Sequence, residues 1–165
     1  MTASNQQFTL LLVDDNPTNL SLLAQIVEMD LPQVRVLTAR SADEGLELAA
    51  GHELDGAFLD VQMPGTGGLA LCRMLKEDPR FSHVPVVLMT AHIATAELRA
   101  EGLNAGAYDF ISQPISNVEM LARIKVMLRL RHSEKQLLSS NHKLRNLVAS
   151  KTSALRWLGG LLLAG

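Results

Sequence analysis

Short apolar runs alternate with amphipathic stretches along the first three quarters of the chain. Phe8 to Val13, Val34 to Ala39, Asp55 to Leu59, Val84 to Thr90 and Asp109 to Ile111 are strand-length runs rich in Val, Leu, Ile and Phe, bounded by polar or turn residues. Near-continuous apolar character is what a strand covered on both faces requires. Arg35 and Thr38 interrupt the second run, which places that strand near a sheet edge. Between the runs lie helical periods. Asn16 caps a helix with Pro17 at its first position, and Leu20, Leu23, Ala24, Val27 and Leu31 recur on one side before Pro32 stops it. Ser41 opens a second helix, Ala42 to Ala50, ended by Gly51. A third spans Leu69 to Lys76 and closes at Asp78-Pro79. A fourth, about Thr95 to Ala105, is bounded by glycine and has the most polar face, making it the least anchored. Five strands alternating with helices predict an α/β fold: a doubly wound, five-stranded parallel sheet, flavodoxin-like, in the order 2-1-3-4-5.

Such sheets gather their chemistry at the carboxyl ends of the strands. The first run ends in Asp14-Asp15, the third in Asp60 and the fourth in Thr90. A lone aspartate at a strand end often only caps the next helix. Three brought to one rim repel each other, and each pKa rises unless a cation lies between them. A hard divalent ion such as magnesium answers that repulsion, because it takes carboxylate oxygens, keeps waters and accepts a phosphate oxygen. The pattern reads as a metal-assisted phosphoryl-acceptor site. The glycine-rich loop Met63 to Gly68 lacks both the Gly-Lys-Ser/Thr ending of a P-loop and the dinucleotide spacing, so it reads as a mobile loop beside that site.

With these residues in this order, roughly residues 8 to 130 resemble the receiver domain of two-component response regulators, of the chemotaxis-regulator type. The resemblance implies that Asp60 is the phospho-acceptor and that Asp14, Asp15, Asp60 and the backbone carbonyl of Gln62 hold Mg2+. It implies that Thr90 contacts the phosphoryl group, that Phe110 is the aromatic switch residue, and that Gln62 and His92 tune dephosphorylation. It also implies a cis bond before Pro114. One departure stands out: Gln113 occupies the family's lysine position. Glutamine offers an amide N–H in place of a full positive charge. The difference between a charged and a neutral hydrogen bond is ~1 to 2 kcal/mol, against the ~5.5 kcal/mol that drives a two-state switch almost completely. A weakened or retuned switch is therefore expected. The alternative is a pseudo-receiver, an interaction module that no longer signals. A haloacid-dehalogenase-type enzyme would want a second aspartate at position 62, where Gln62 stands. The expectation is a signalling protein whose own chemistry is limited to accepting a phosphoryl group and losing it slowly.

Composition narrows the class further. The chain has 165 residues, 47% of them hydrophobic, enough for one cored domain and an appendage. A net charge of -2 gives no electrostatic case for nucleic acid or membrane binding. The single Cys72 excludes an internal disulfide framework and fits a cytoplasmic setting. The start lacks a signal-peptide pattern, and no apolar run reaches the ~18 residues of a membrane span. The five histidines are scattered without metal-ligand spacing.

From Ser116 a helical pattern runs without a stop until Gly159-Gly160. Val118, Leu121 and Leu128 are expected to pack on the sheet. Met127, Leu130, Leu137, Leu144, Val148, Leu155 and Leu158 fall on one seam at alternating three- and four-residue steps, interrupted by Glu134, Asn141 and Lys151. That predicts a parallel coiled coil, with residues 131–165 as a linker that makes a homodimer, and with Asn141 fixing register. A solvated tail folded back on its own domain is the simpler alternative. The stretch Leu147 to Leu155 resembles signalling helices that join receivers to output domains for cyclic di-GMP turnover or histidine kinase activity. The expected partners are therefore a histidine kinase or phosphotransfer protein, a second copy and a downstream output domain. The apolar end, Leu158 to Gly165, suggests the front portion of a longer protein.

Overall fold

The computed structural model describes residues 7–162. In chain order the elements are β1 (Phe8–Val13), α1 (Pro17–Asp30), β2 (Val34–Ala39), α2 (Ala42–Gly51), β3 (Gly56–Asp60), α3 (Gly68–Glu77), β4 (Val86–Thr90), α4 (Ala96–Asn104), β5 (Asp109–Ser112) and α5 (Asn117–Leu162). The sheet is parallel throughout, in the order β2-β1-β3-β4-β5. The order in which strands are added reverses at β1, which makes the carboxyl ends of β1 and β3 the topological switch point where such sheets place a crevice. The chain divides into two compact units, one through Leu128 and one from Arg129, so α5 contributes to both.

Period-2 alternation sorts the strand residues between two cores. Leu11, Val13, Ala57, Leu59, Val86, Leu88 and Phe110 face a cluster with Leu71, Cys72 and Leu75 of α3. Leu10, Leu12, Phe58, Val87, Met89 and Ile111 face the other, with Leu20 and Val27 of α1 and Met120, Ile124, Met127 and Leu128 of α5. Successive side chains along a strand leave on opposite faces, so one apolar run serves both layers. Leu23 and Ala24 join the second cluster half-buried. Two caps match the sequence, Asn16 Oδ1 accepting from the N–H groups of Thr18 and Asn19 and Ser41 Oγ from Glu44, and the structure adds a third, Thr95 Oγ1 accepting from Leu98. Each satisfies donors that a helix start leaves unpaired. Boundaries move by one or two residues: Gly51 is the last residue of α2, and β4 begins after Pro85.

Helix α5 corrects the sequence reading in three places. Val118 is 80% exposed, and Met120 and Ile124 take its place on the sheet. Met127 is fully buried, touching the space over Gly56, so it belongs to the domain core and not to a coiled-coil seam. The cause is packing: Met127 shares the sheet-facing side of the helix with Met120 and Ile124 and closes over Gly56. Finally, Gly159 and Gly160 do not end the helix, which continues to Leu162. Glycine costs about 1 kcal/mol in a helix but supplies no stop without a cap or proline beyond it.

The second unit, taken alone, is helical through Leu162. Leu137, Leu144, Val148, Leu155 and Leu158 are each 58 to 69% exposed. From Lys135 to Leu162 the charged residues are all cationic: Lys135, Lys143, Arg145, Lys151 and Arg156. No helix among the described residues is long and apolar enough to cross a membrane.

Truncating Met127 to Ala should cost about 2 to 4 kcal/mol in urea denaturation, the range for a buried large-to-small change, whereas Val118→Ala should stay within about 0.5 kcal/mol. Equal effects would return Met127 to the exposed face.

Candidate functional site

Each site residue is delivered by a strand end. β1 stops at Val13, and the Asp14 N–H donates to Ala39 O (3.1 Å), which carries the chain just past the sheet. Asp14 is 2% exposed, and its two oxygens accept from the Asn16 N–H (2.8 Å) and from Asn19 Nδ2 (3.4 Å). The same turn that starts α1 thus fixes the carboxylate's direction. β3 ends in Asp60, opposite Met89 in register, and Val61 N–H donates to Met89 O. The chain then turns sharply. Gly65 sits at φ +75°, and a Cβ on Gly68 would stand 2.2 Å from the Asp60 carbonyl oxygen, so only glycine allows α3 to begin there. Asp60 itself accepts from the Gln62 N–H (3.2 Å).

Oxygens of Asp14, Asp15 and Asp60 all lie within 4.8 Å of one another. An ion that binds oxygens at about 2.1 Å spaces its ligands about 3 to 4 Å apart, so small side-chain rotations close the three around one ion. The donor set is all carboxylate, which suits a hard divalent cation rather than a thiol-seeking one. The Asp60 carboxyl is pushed up to about 6. Burial is the largest cause, opposed by the Gln62 N–H and reinforced by the charges of Asp14 and Asp15 and by a hydrogen bond with Asp15. The sequence argument named the neighbouring charges; desolvation at the crevice floor outweighs them.

Across the crevice, Thr90 at the end of β4 is fully buried, and its Oγ1 accepts from the His92 N–H (3.2 Å). A hydroxyl has one donor and two acceptor positions, so its proton stays free to face a ligand. The Gln113 N–H donates to Thr90 O (2.7 Å), and the Gln113–Pro114 peptide is cis. Gln113 lines a hollow of about 310 Å³ with Asn19, Leu22, Leu23, Ile26 and Pro114. Phe110 is 6% exposed, its ring turned into the core. His92 and Gln62 are exposed at the loop starts that follow Thr90 and Asp60. Asn19 is the site neighbour that sequence reading missed; its signal was its place one helical turn after Asn16, on the side facing Asp14.

The response regulator receiver domain family matches residues 10–125. The response regulator PleD of Caulobacter vibrioides is 35% identical over 156 residues, which is 93% of this chain and 34% of that protein. A probable cyclic di-GMP phosphodiesterase of Vibrio cholerae is 30% identical over 149 residues, 90% of this chain and 33% of that one. The chain therefore spans about a third of the length of these curated relatives. Among solved structures, the receiver domain of an HD-domain-containing protein from Pseudomonas fluorescens superposes with a TM-score of 0.73 at 25% identity, covering 82% of this chain and 97% of that one.

Because the folded-state pKa of Asp60 is raised, the native protein holds a proton there that the unfolded chain gives up, and stability falls as pH rises from about 4 through about 6. Asp60→Asn should therefore stabilise the metal-free protein at pH 7.5 by on the order of 1 kcal/mol after solvent screening, with no gain at pH 4. Denaturation at both pH values measures this; a gain independent of pH would show that Asp60 titrates normally.

Proposed function

The chain belongs to the response regulator receiver domain family, and on that footing we propose that it accepts a phosphoryl group on Asp60 from the phosphohistidine of a partner kinase or phosphotransfer protein. The observation that carries this reading is the convergence of Asp14, Asp15 and Asp60 at one sheet rim, with the free hydroxyl proton of Thr90 across from them. An Asp60 oxygen attacks phosphorus, the O–P bond of an acyl phosphate forms, and the P–N bond breaks with its electron pair returning to the imidazole. Attack needs the carboxylate, which burial disfavours in the metal-free site and a bound cation would favour. Asp14, Asp15, Asp60 and the Gln62 carbonyl would hold Mg2+, which when bound neutralises the phosphoryl oxygens. Thr90 donates to one of those oxygens, and Gln113 supplies an amide where the family uses a lysine. The charges acting on Asp60 are Asp14 and Asp15, both negative, so neutralisation falls on the ion more than in a lysine-bearing site. Gln62 and His92, at the mouth, govern how water reaches the acyl phosphate.

The signal leaves through α5. Residues 131–165 act as a coiled-coil linker whose seam, Leu130, Leu137, Leu144, Val148, Leu155 and Leu158, pairs with a second copy, and Asn141 sets the register. The name of one relative, the probable cyclic di-GMP phosphodiesterase of Vibrio cholerae, suggests an output in cyclic di-GMP turnover, in a cytoplasmic setting. The pseudo-receiver alternative rests on Gln113 alone.

Beryllium fluoride with Mg2+ should titrate into the wild type and fail with Asp60→Asn; the same response from both proteins defeats the acceptor assignment. Gln113→Lys should enlarge the conformational response by the equivalent of about 1 to 2 kcal/mol, and an unchanged response would show that the amide is not limiting. Sedimentation of residues 1–130 against 1–165 should give monomer and dimer respectively, and a dimer from both would place the interface elsewhere.

A further inference from the structure

We propose that Arg99 is a positioning residue that fastens α4 to the end of β5, so that a change at Thr90 reaches α4 through Arg99, Phe110 and Ser112. The proposal rests on the phospho-acceptor reading of the same site. Helix α4 has few other anchors: its one fully buried residue is Gly102, with Leu98 half-buried against the core. A Cβ on Gly102 would stand 2.9 Å from Phe110 Cδ2 and 3.0 Å from Leu88 Cδ1, so the helix backbone lies directly on the Phe110 ring. One turn earlier, the Arg99 guanidinium carbon lies 5.6 Å from the centre of the same ring. Its Nη2 also donates to Ser112 Oγ at 3.1 Å. Phe110 and Ser112 are two residues apart on β5 and so leave the same face of the sheet. A single planar group therefore spans an aromatic ring and a hydroxyl on one strand.

The other end of this link is the site. Ser112 is opposite Thr90 in the strand register, and the next residue, Gln113, donates its N–H to Thr90 O at 2.7 Å. A shift of the Thr90 backbone on ligand binding pulls on Gln113, carries Ser112 with it, and moves the acceptor of the Arg99 hydrogen bond. Lysine cannot replace arginine here, because an ammonium offers neither a flat face for the ring nor a fixed fork for the hydroxyl. In a chain with Gln113 at the lysine position, this backbone route does not need the missing charge.

The test is hydrogen exchange of residues 96–104 in the full chain, with and without beryllium fluoride and Mg2+, while 19F spectra report bound fluoroberyllate separately. In the wild type the ligand should change α4 exchange about threefold or more. Arg99→Ala and Arg99→Lys should keep the bound 19F signal and lose the α4 change, with Ser112→Ala reducing it. A wild-type-sized response in Arg99→Ala overturns the proposal, as does a bound 19F signal in the wild type with α4 unchanged. If the wild type binds no fluoroberyllate, the phospho-acceptor reading fails instead, and the free proteins decide about Arg99. There, α4 exchange about threefold faster in both Arg99 variants than in the wild type supports the tie, and equal rates overturn it.

Discussion

Three carboxylates held at one sheet rim are the constraint around which this domain is arranged. Left to themselves Asp14, Asp15 and Asp60 would separate, since like charges a few ångströms apart repel and burial deepens the penalty. The fold fastens two of them: the Asp14 carboxylate is tied to the first turn of α1 by Asn16 and Asn19, and half-buried Asp60 ends β3, whose other residues are buried. The apolar faces of the sheet thus hold a small electrostatic cost in place at its edge, and a cation removes that cost. An empty nest favours the protonated Asp60, and a bound cation would favour the carboxylate.

Much of this was legible in the residues. Buried parallel strands read as apolar runs, and a carboxylate or threonine at the end of the first, third and fourth runs is visible without coordinates; the cap residues Asn16 and Ser41 announced their helices for the same local reason. What the sequence hid was set by tertiary packing. Asp60 owes its raised pKa chiefly to burial, which only the folded chain supplies. Asn19 was hidden because its partner, Asp14, lies in the preceding loop, and the Arg99 contacts because α4 and β5 meet only in the folded chain.

The long helix shows where pattern reading overreached. A seven-residue seam drawn back to Met127 reached into the part of α5 that covers the sheet, and Met127 belongs to the core. Val118, apolar and early in the helix, points outward because Met120, Ile124 and Met127 already satisfy the core-facing side. The first part of α5 completes the domain core, whereas Leu137, Leu144, Leu155 and Leu158 are exposed.

The central claim, that the acidic nest holds one divalent ion, is tested most directly by manganese, which can stand in for magnesium and broadens nearby amide resonances. Substoichiometric Mn2+ should broaden the amides of Asp14, Asp15, Asp60, Gln62 and Thr90 first, reversibly on adding excess Mg2+, and not in an Asp14→Asn, Asp15→Asn double variant. Broadening spread over the exposed surface acids, or unchanged in that variant, would contradict the account.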